Sequence, residues 1–182
     1  DDGICYIKKT MSGDVMNIKK IRVDKEGAGM GWGAVYAQYL ESMDQISGQG
    51  NGLSVSRQLY KGDEALNESA PLKVGDKITV RLTIKADRDM DFVQIKDDRA
   101  ACMEPLQAVS GFRWSNGLGY YQATKDASTQ FFIDQMRKGT YVIEYQVYVN
   151  RTGEYQAGIA TVQSAYAPEF GGHTGGYRVM VE

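Results

Sequence analysis

The stretch GTYVIEYQVYVNRTGEYQAGIATVQSAYAPEF, residues 139–170, decides the fold. Within it Tyr141, Ile143, Tyr145, Val147 and Val149 recur at every second position, and Val142, Glu144, Gln146 and Tyr148 fill the gaps. A period of two belongs to a β-strand with one buried face. Arg151-Thr152-Gly153 interrupts the run with turn chemistry, and a second strand-like run follows from Tyr155 to Gln163. The pattern reads as a long hairpin, closed by Tyr166-Ala167-Pro168-Glu169-Phe170.

Outward from this stretch, the clearest strand runs through Ile78, Val80, Leu82 and Ile84, with Thr79, Arg81, Thr83 and Lys85 on the other face. Leu53, Val55, Arg57 and Leu59 alternate with Ser54, Ser56 and Gln58, which predicts another. Phe92 to Lys96, Gln130 to Asp134, and Tyr177-x-Val179-x-Val181 add three more. Residues 61–70 are polar and read as a loop, and so does the aromatic but irregular segment 111–123, with room for one short strand. Residues 1–27 hold two candidate strands, one at Ile4, Tyr6 and Ile7 and one from Val15 to Val23. About nine short strands separated by turns predict an all-β antiparallel sandwich of the immunoglobulin-like kind.

Composition sets limits on function. The 182 residues suffice for one domain plus a small attachment. A net charge of −2 gives no reason to expect a nucleic-acid or anionic-membrane partner. No run of apolar residues is long enough for a membrane-spanning helix. The chain starts at Asp1 without a methionine or signal sequence, as an excised fragment would. Cys5 and Cys102 leave two readings open: one disulfide in an oxidising compartment, or two unrelated thiols, the second favoured.

Five groups of residues keep their order along the chain: Gly31-Trp32-Gly33-Ala34-Val35-Tyr36, Val74-Gly75-Asp76-Lys77-Ile78-Thr79-Val80, Asp98-Arg99-Ala100-Ala101-Cys102-Met103-Glu104-Pro105, Tyr120-Tyr121 with Lys125-Asp126, and Tyr166-Ala167-Pro168-Glu169-Phe170. With them the chain resembles, over roughly residues 30–182, the C-terminal macroglobulin-like (tenth macroglobulin) domain of bacterial alpha-2-macroglobulins, Bacteroidetes type. The resemblance implies a leading segment, 1–27, carrying strands from an upstream module, and a sandwich domain at 28–182. It also decides an ambiguity at residues 32–43. Trp32, Val35, Tyr36, Tyr39, Leu40 and Met43 form a helical stripe, while Trp32, Ala34 and Tyr36 fit one face of a strand. The resemblance selects the strand.

Further expectations follow from the family. The domain is a non-catalytic part of a protease-trapping inhibitor in the periplasm or outer envelope. It packs against the thioester-bearing part and relays conformational change. Its partners are the upstream domains of the same polypeptide and, through the whole protein, target proteases. Tyr166, Pro168, Glu169 and Phe170 are expected to be structural signature residues. No catalytic, cofactor-binding or metal-binding residue is expected, and no cofactor. The rival reading is a free-standing carbohydrate-binding or adhesion sandwich, whose platform would draw on tyrosines such as Tyr120, Tyr121, Tyr141, Tyr145, Tyr155 and Tyr166.

Several motifs fail on their chemistry. The family's thioester needs Cys-x-Glu-Gln, in which the glutamine side chain acylates the cysteine. Cys102-Met103-Glu104-Pro105 has proline in the donor place, so Cys102 reads as a small buried hydrophobe. Asp87-x-Asp89-x-Asp91 opens like a calcium loop, but Phe92 and Asp98 occupy the places that need glycine and glutamate. Gly29-x-Gly31-x-x-Ala34 lacks the β-α-β context of a dinucleotide site. His173 sits in a glycine-rich segment and reads as a surface loop histidine. Asn67 and Asn150 head glycosylation sequons by chance. Glu104, Asp126, Glu144, Glu154 and Glu169 are scattered acids whose convergence the sequence leaves open.

Overall fold

The computed structural model describes residues 7–11, 18, 20–33, 35–36, 40, 42–67 and 70–182. The chain divides into two compact units, Asp1–Tyr39 and Leu40–Glu182, against a boundary read from the sequence at 27/28. In the first unit the described residues carry neither strand nor helix. Ile4 and Tyr6 of the first expected strand lie outside the described residues, as do residues 15–17 and 19 of the second; the described part of the second, Ile18 and residues 20–23, is in no strand, which corrects that expectation.

The strand expected from Trp32 is corrected. Trp32, Gly33, Val35 and Tyr36 are in no strand or helix, and Trp32 and Tyr36 are more than nine-tenths exposed. Alternation stabilises a strand only when one face is buried and the backbone finds a ladder. Neither condition is met at these residues.

The second unit is built of strands. A 3₁₀ turn, Met43–Gln45, precedes them. They are β1 (Gln49–Asn51), β2 (Leu53–Lys61), β3 (Glu64–Ala65), β4 (Lys77–Ala86), β5 (Met90–Asp98), β6 (Met103–Pro105) and β7 (Gly111–Ser115). Then come β8 (Leu118–Thr124), β9 (Ser128–Met136), β10 (Gly139–Val149), β11 (Gly153–Ala157), β12 (Ala160–Ser164), β13 (Gly171–His173) and β14 (Tyr177–Val181). All strand pairs are antiparallel. The large sheet runs β6-β10-β4-β2-β1-β13-β12-β5-β9-β8-β7, and β11 and β14 form a separate ribbon.

The short strands β1 and β13 sit at the middle of this order, and there the sheet turns over on itself. Gly50 and Gly172 are register partners at that corner. A Cβ on Gly172 would lie 2.7 Å from the carbonyl oxygens of Gln49 and Leu53, so only glycine lets the chains approach this closely. The two arms thereby face each other. Ile78, Val80, Leu82 and Ile84 of β4 and Ile143, Tyr145, Val147 and Val149 of β10 meet Val93, Ile95, Phe131 and Ile133 of β5 and β9 in one core. Phe131 and Tyr145 touch across it, with ring centroids 5.9 Å apart. Each fully buried aliphatic side chain contributes about 1.5–3 kcal/mol before the entropy of ordering is subtracted.

The expected long hairpin is corrected in its pairing. β10 pairs with β4 and β6, not with the run that follows it. That run splits at Gly158 into β11, which pairs with β14, and β12, which pairs with β5 and β13. Gly158 lies against Asp98, where an added Cβ would come within 2.3 Å of the aspartate Cβ. The chain is pinned there by backbone packing and changes ribbon.

Two predicted loops contain structure. Residues 111–123 are the β7–β8 hairpin, turning at Asn116-Gly117, both with positive φ of 50° and 77°. Asn-Gly at a two-residue turn is the pattern that favours a primed β-turn. Within 61–70, β3 folds back on the end of β2.

Candidate functional site

The most heavily built polar feature spans the interior. On β2 the inward positions are Leu53, Val55 and then Arg57, which lies beside Leu82 of β4. On β5 they are Val93, Ile95 and then Asp97, flanked by Ala160 and Thr129. The two polar residues therefore face each other from opposite arms. Arg57 Nη1 donates to Asp97 Oδ1, and the side chains are 5% and 1% exposed. Arg57 Nη2 donates to the Gly158 carbonyl, at the point where β11 gives way to β12. Tyr145 Oη donates to Asp97 Oδ2 at 2.7 Å. The Tyr177 ring lies 4.6 Å from the guanidinium carbon.

Burial pushes the Asp97 carboxyl up, against the opposing pull of Arg57 and the Tyr145 hydroxyl. Burial acts to lower Arg57, but Asp97, with smaller help from Tyr177 and Tyr145, outweighs it and leaves the guanidinium more basic than usual. Burial raises Tyr145 well above the usual tyrosine range and Tyr177 to about 12. Both tyrosines are therefore neutral at ordinary pH. The cluster ties two arms and a chain corner together. It holds an ion pair and neutral phenols, with no nucleophile or base aimed at an open space.

A pocket of about 340 Å³ opens between β2 and residues 174–179. Val55, Leu59, Leu66 and Leu72 make its apolar wall, and Arg57 and Tyr177 are also among its lining residues.

The expected signature residues form the turn from β12 into β13. Phe170 is half-buried against the core, its amide donating to the Ala167 carbonyl at 2.9 Å and its carbonyl accepting from Ser164. Arg88 lies over its ring at 4.6 Å. Glu169 contributes its carbonyl, which accepts from Asn51 Nδ2 at 2.8 Å. Pro168 is exposed. Tyr166 points outward, 79% exposed, and meets Phe92 edge-on at 5.1 Å. Phe92 has φ of +52°, a conformation that a bulky residue adopts only under constraint. The constraint is visible: Ala165 N donates to the Phe92 carbonyl at 2.8 Å, and the Phe92 position drops out of the β5–β9 register. A strained backbone thus presents two aromatics to the outside.

The other singled-out residues do not converge. Cys102 is a free, fully buried thiol, and burial raises its pKa. Cys5 lies outside the described residues. Asp87 pairs with Arg88, and Asp89 accepts from the Lys138 amide at 2.7 Å. Among the described residues no three His, Cys, Asp or Glu side chains come together to hold a metal ion. Gly29 and Gly31 lie in a bend and its exit, outside any strand or helix. His173 is corrected from loop to strand: it ends β13, is half-buried, and its Nδ1 lies 3.1 Å from the Thr174 carbonyl. Glu104 holds Tyr148 and Asn150, Glu144 pairs with Arg81, and Glu154 pairs with Arg178. Tyr120 and Tyr145 are buried while Tyr166 projects into solvent, so the tyrosines make no single platform.

Residues 52–169 match the family model described as the bacterial alpha-2-macroglobulin MG10 domain. The chain belongs to this family. As an MG10-family chain it covers 75% of its length on a crystal structure of a Salmonella alpha-2-macroglobulin variant, with a TM-score of 0.64 and 19% identity, and spans 10% of that protein. On native Escherichia coli alpha-2-macroglobulin from domain MG7 to the C-terminus, coverage is 74% of this chain and 24% of the other, with a TM-score of 0.62 and 16% identity. Among curated proteins, circularly permutated Ras protein 2 of Dictyostelium discoideum is 28% identical over 138 residues. Those residues are 72% of this chain and 4% of that relative. The MG10-family chain therefore spans a quarter or less of each of these three proteins.

Sequence reasoning missed Asp97 as the partner of Arg57 and Tyr145 as the donor to Asp97. The signal in reach was an arginine on the inward parity of β2, which demands a buried counter-charge.

Proposed function

We propose that this MG10-family domain is a non-catalytic packing element of a bacterial alpha-2-macroglobulin-like protease-trapping inhibitor. In this reading it is the tenth macroglobulin-like domain, at the C-terminal end, of the Bacteroidetes type, following a leading segment that continues an upstream module. The whole protein works in the periplasm or outer envelope. Its other domains carry the bait and the thioester, and this one packs beside the thioester-bearing part and relays its movement. The observation that carries the reading is the family match over residues 52–169. The Phe92–Tyr166 corner supports it, because strained backbone and exposed aromatics together suit a contact surface.

The test is methylamine treatment of the whole natural polypeptide. One new titratable thiol is expected, and a Tyr166→Ala substitution is expected to change the rate of its release. Absence of any new thiol overturns the thioester-inhibitor reading.

A further inference from the structure

From Leu53 to Tyr60, β2 is paired with β4, but its other edge is covered at the ends and open in the middle. At one end Leu53 is the register partner of Asn51 in β1, and its carbonyl lies against Gly50 and Gly172. At the other end the Leu59 carbonyl accepts from the Leu66 amide at 2.9 Å, continuing the β2–β3 pairing. In an antiparallel strand, alternate residues point their amide and carbonyl to the same edge. Val55 and Arg57 share the parity of Leu53 and Leu59, so their backbone groups also point away from β4. Neither has a backbone partner on that side among the described residues. These groups border the pocket of about 340 Å³ described above. On its far bank, Thr174 to Val179, the Gly176 amide donates to the Ile46 carbonyl at 3.1 Å, and just beyond it the Met180 carbonyl accepts from the Leu72 amide at 2.9 Å. Ile46 and Leu72 thus close the two ends of the opening. β2 and β14 flank it without pairing to each other.

We propose that an extended segment from elsewhere in the same long polypeptide, outside these 182 residues, fills this opening as a short strand on the β2 edge. The proposal rests on the reading of this chain as one domain of a larger inhibitor. Donors and acceptors alternating at strand spacing are matched by another backbone, and Leu59, Leu66 and Leu72 give that backbone an apolar wall. The size of the opening selects the source. Val55 to Arg57 spans roughly 7 Å at the rise of a strand, so about three residues fit. So short a ladder makes a few backbone hydrogen bonds, each a modest net gain. A separate protein or a second copy would also lose its translational and rotational freedom on binding, which that gain does not offset. A segment already joined to the domain avoids most of this cost, because its linker holds it at an effective concentration of roughly millimolar. This chain spans 10% of the Salmonella protein it matches, so a polypeptide of that kind has ample length to supply the segment.

The experiment is amide hydrogen exchange, read residue by residue along β2, in the 182-residue chain and in the whole polypeptide that carries it. In the 182-residue chain the Val55 and Arg57 amides are expected to exchange at least about tenfold faster than the Ser56 amide, which points to β4. In the whole polypeptide both are expected to slow by at least about tenfold, while the Leu66 amide, already bonded to Leu59, keeps its rate. Raising the 182-residue chain to about 1 mM is expected to leave both amides fast, which a second copy in the opening would not. Val55→Pro removes one outward donor and no bond to β4. In the whole polypeptide it is expected to return the Arg57 amide toward its fast rate, whereas a surface that only covered the opening would leave it slow. Should that variant not fold, the comparison on the natural sequence decides. Equal rates in the chain and the whole polypeptide, slowing with concentration, or Arg57 protection that survives Val55→Pro overturns the proposal. Fast exchange in a polypeptide that still releases a thiol to methylamine overturns this proposal alone and leaves the inhibitor reading standing.

Discussion

Arg57 of β2 and Asp97 of β5 form an ion pair across the interior of the sandwich, with neither side chain more than 5% exposed. They sit where an aliphatic pair would continue the core. A buried pair of this kind is held by geometry as much as by charge. The desolvation of both ions offsets most of their attraction, and the hydrogen bonds to Gly158 and from Tyr145 complete the balance. The pair also fixes where β11 ends and β12 begins, because the Gly158 carbonyl is one of its ligands.

Removing one partner leaves the other charged and unpaired inside the core. Arg57→Ala is expected to lower unfolding stability by about 3–5 kcal/mol in urea titration. The double variant Arg57→Met/Asp97→Leu is expected to recover most of that loss, since replacing a buried pair with apolar groups is often close to neutral. Equal losses in the single and double variants would show that the ion pair is not what destabilises the singles.

At the β6–β10 edge, Glu104 accepts from Tyr148 Oη at 2.6 Å and from Asn150 Nδ2. These bonds, the tyrosine's first, hold its carboxyl below the ordinary value of 4.5. Between the two values the unfolded chain binds a proton that the folded chain does not. The stabilisation is therefore present above pH 4.5 and is lost as pH falls through the folded value. Unfolding curves from pH 6 downward are expected to show a shallower acid loss for Glu104→Gln than for the natural chain. Parallel slopes would remove Glu104 from the acid response.

Cys102 has no acyl donor at Pro105 and no exposed surface. Intact mass is expected to equal the sequence mass and to stay unchanged after methylamine. The Cys102 thiol is expected to stay silent to a thiol reagent in the folded chain and to react on unfolding. A native mass short by one ammonia, with a thiol released by methylamine, would place a thioester in this chain.

The strands of β4, β5, β9, β10 and β14 were legible because each alternates cleanly against a buried face. What was not legible was partnership. Nothing local in Tyr141–Val149 says that β10 joins β4 rather than the next strand, since ladder partners are chosen by the closed sandwich. Gly158 looked like one residue inside a strand, and only its contact with Asp98 and its bond to Arg57 explain the break. Asn116-Gly117 was a hairpin signal in plain view, masked by the aromatic irregularity on either side of it. At Trp32, Val35 and Tyr36 the periodicity was present, but these three side chains are exposed. In the site, the inward place of Arg57 could be read from the parity of β2. Asp97 could not, because it sits inside the charged run Lys96-Asp97-Asp98-Arg99, which looks solvent-facing. Phe92 and Tyr166 lie 74 positions apart in sequence and meet where the Phe92 position drops out of the β5–β9 register.

The proposed role makes the domain passive on its own and effective only with its neighbours. The most direct measurement is protease activity on a large protein substrate, with the 182-residue chain in molar excess and, in parallel, with the whole polypeptide that carries it. The chain alone is expected to leave the protease untouched, and the whole polypeptide to shield it from the large substrate while a small peptide substrate is still cleaved. Stoichiometric inhibition by the 182 residues alone would contradict the packing role and return the inhibitory chemistry to this domain.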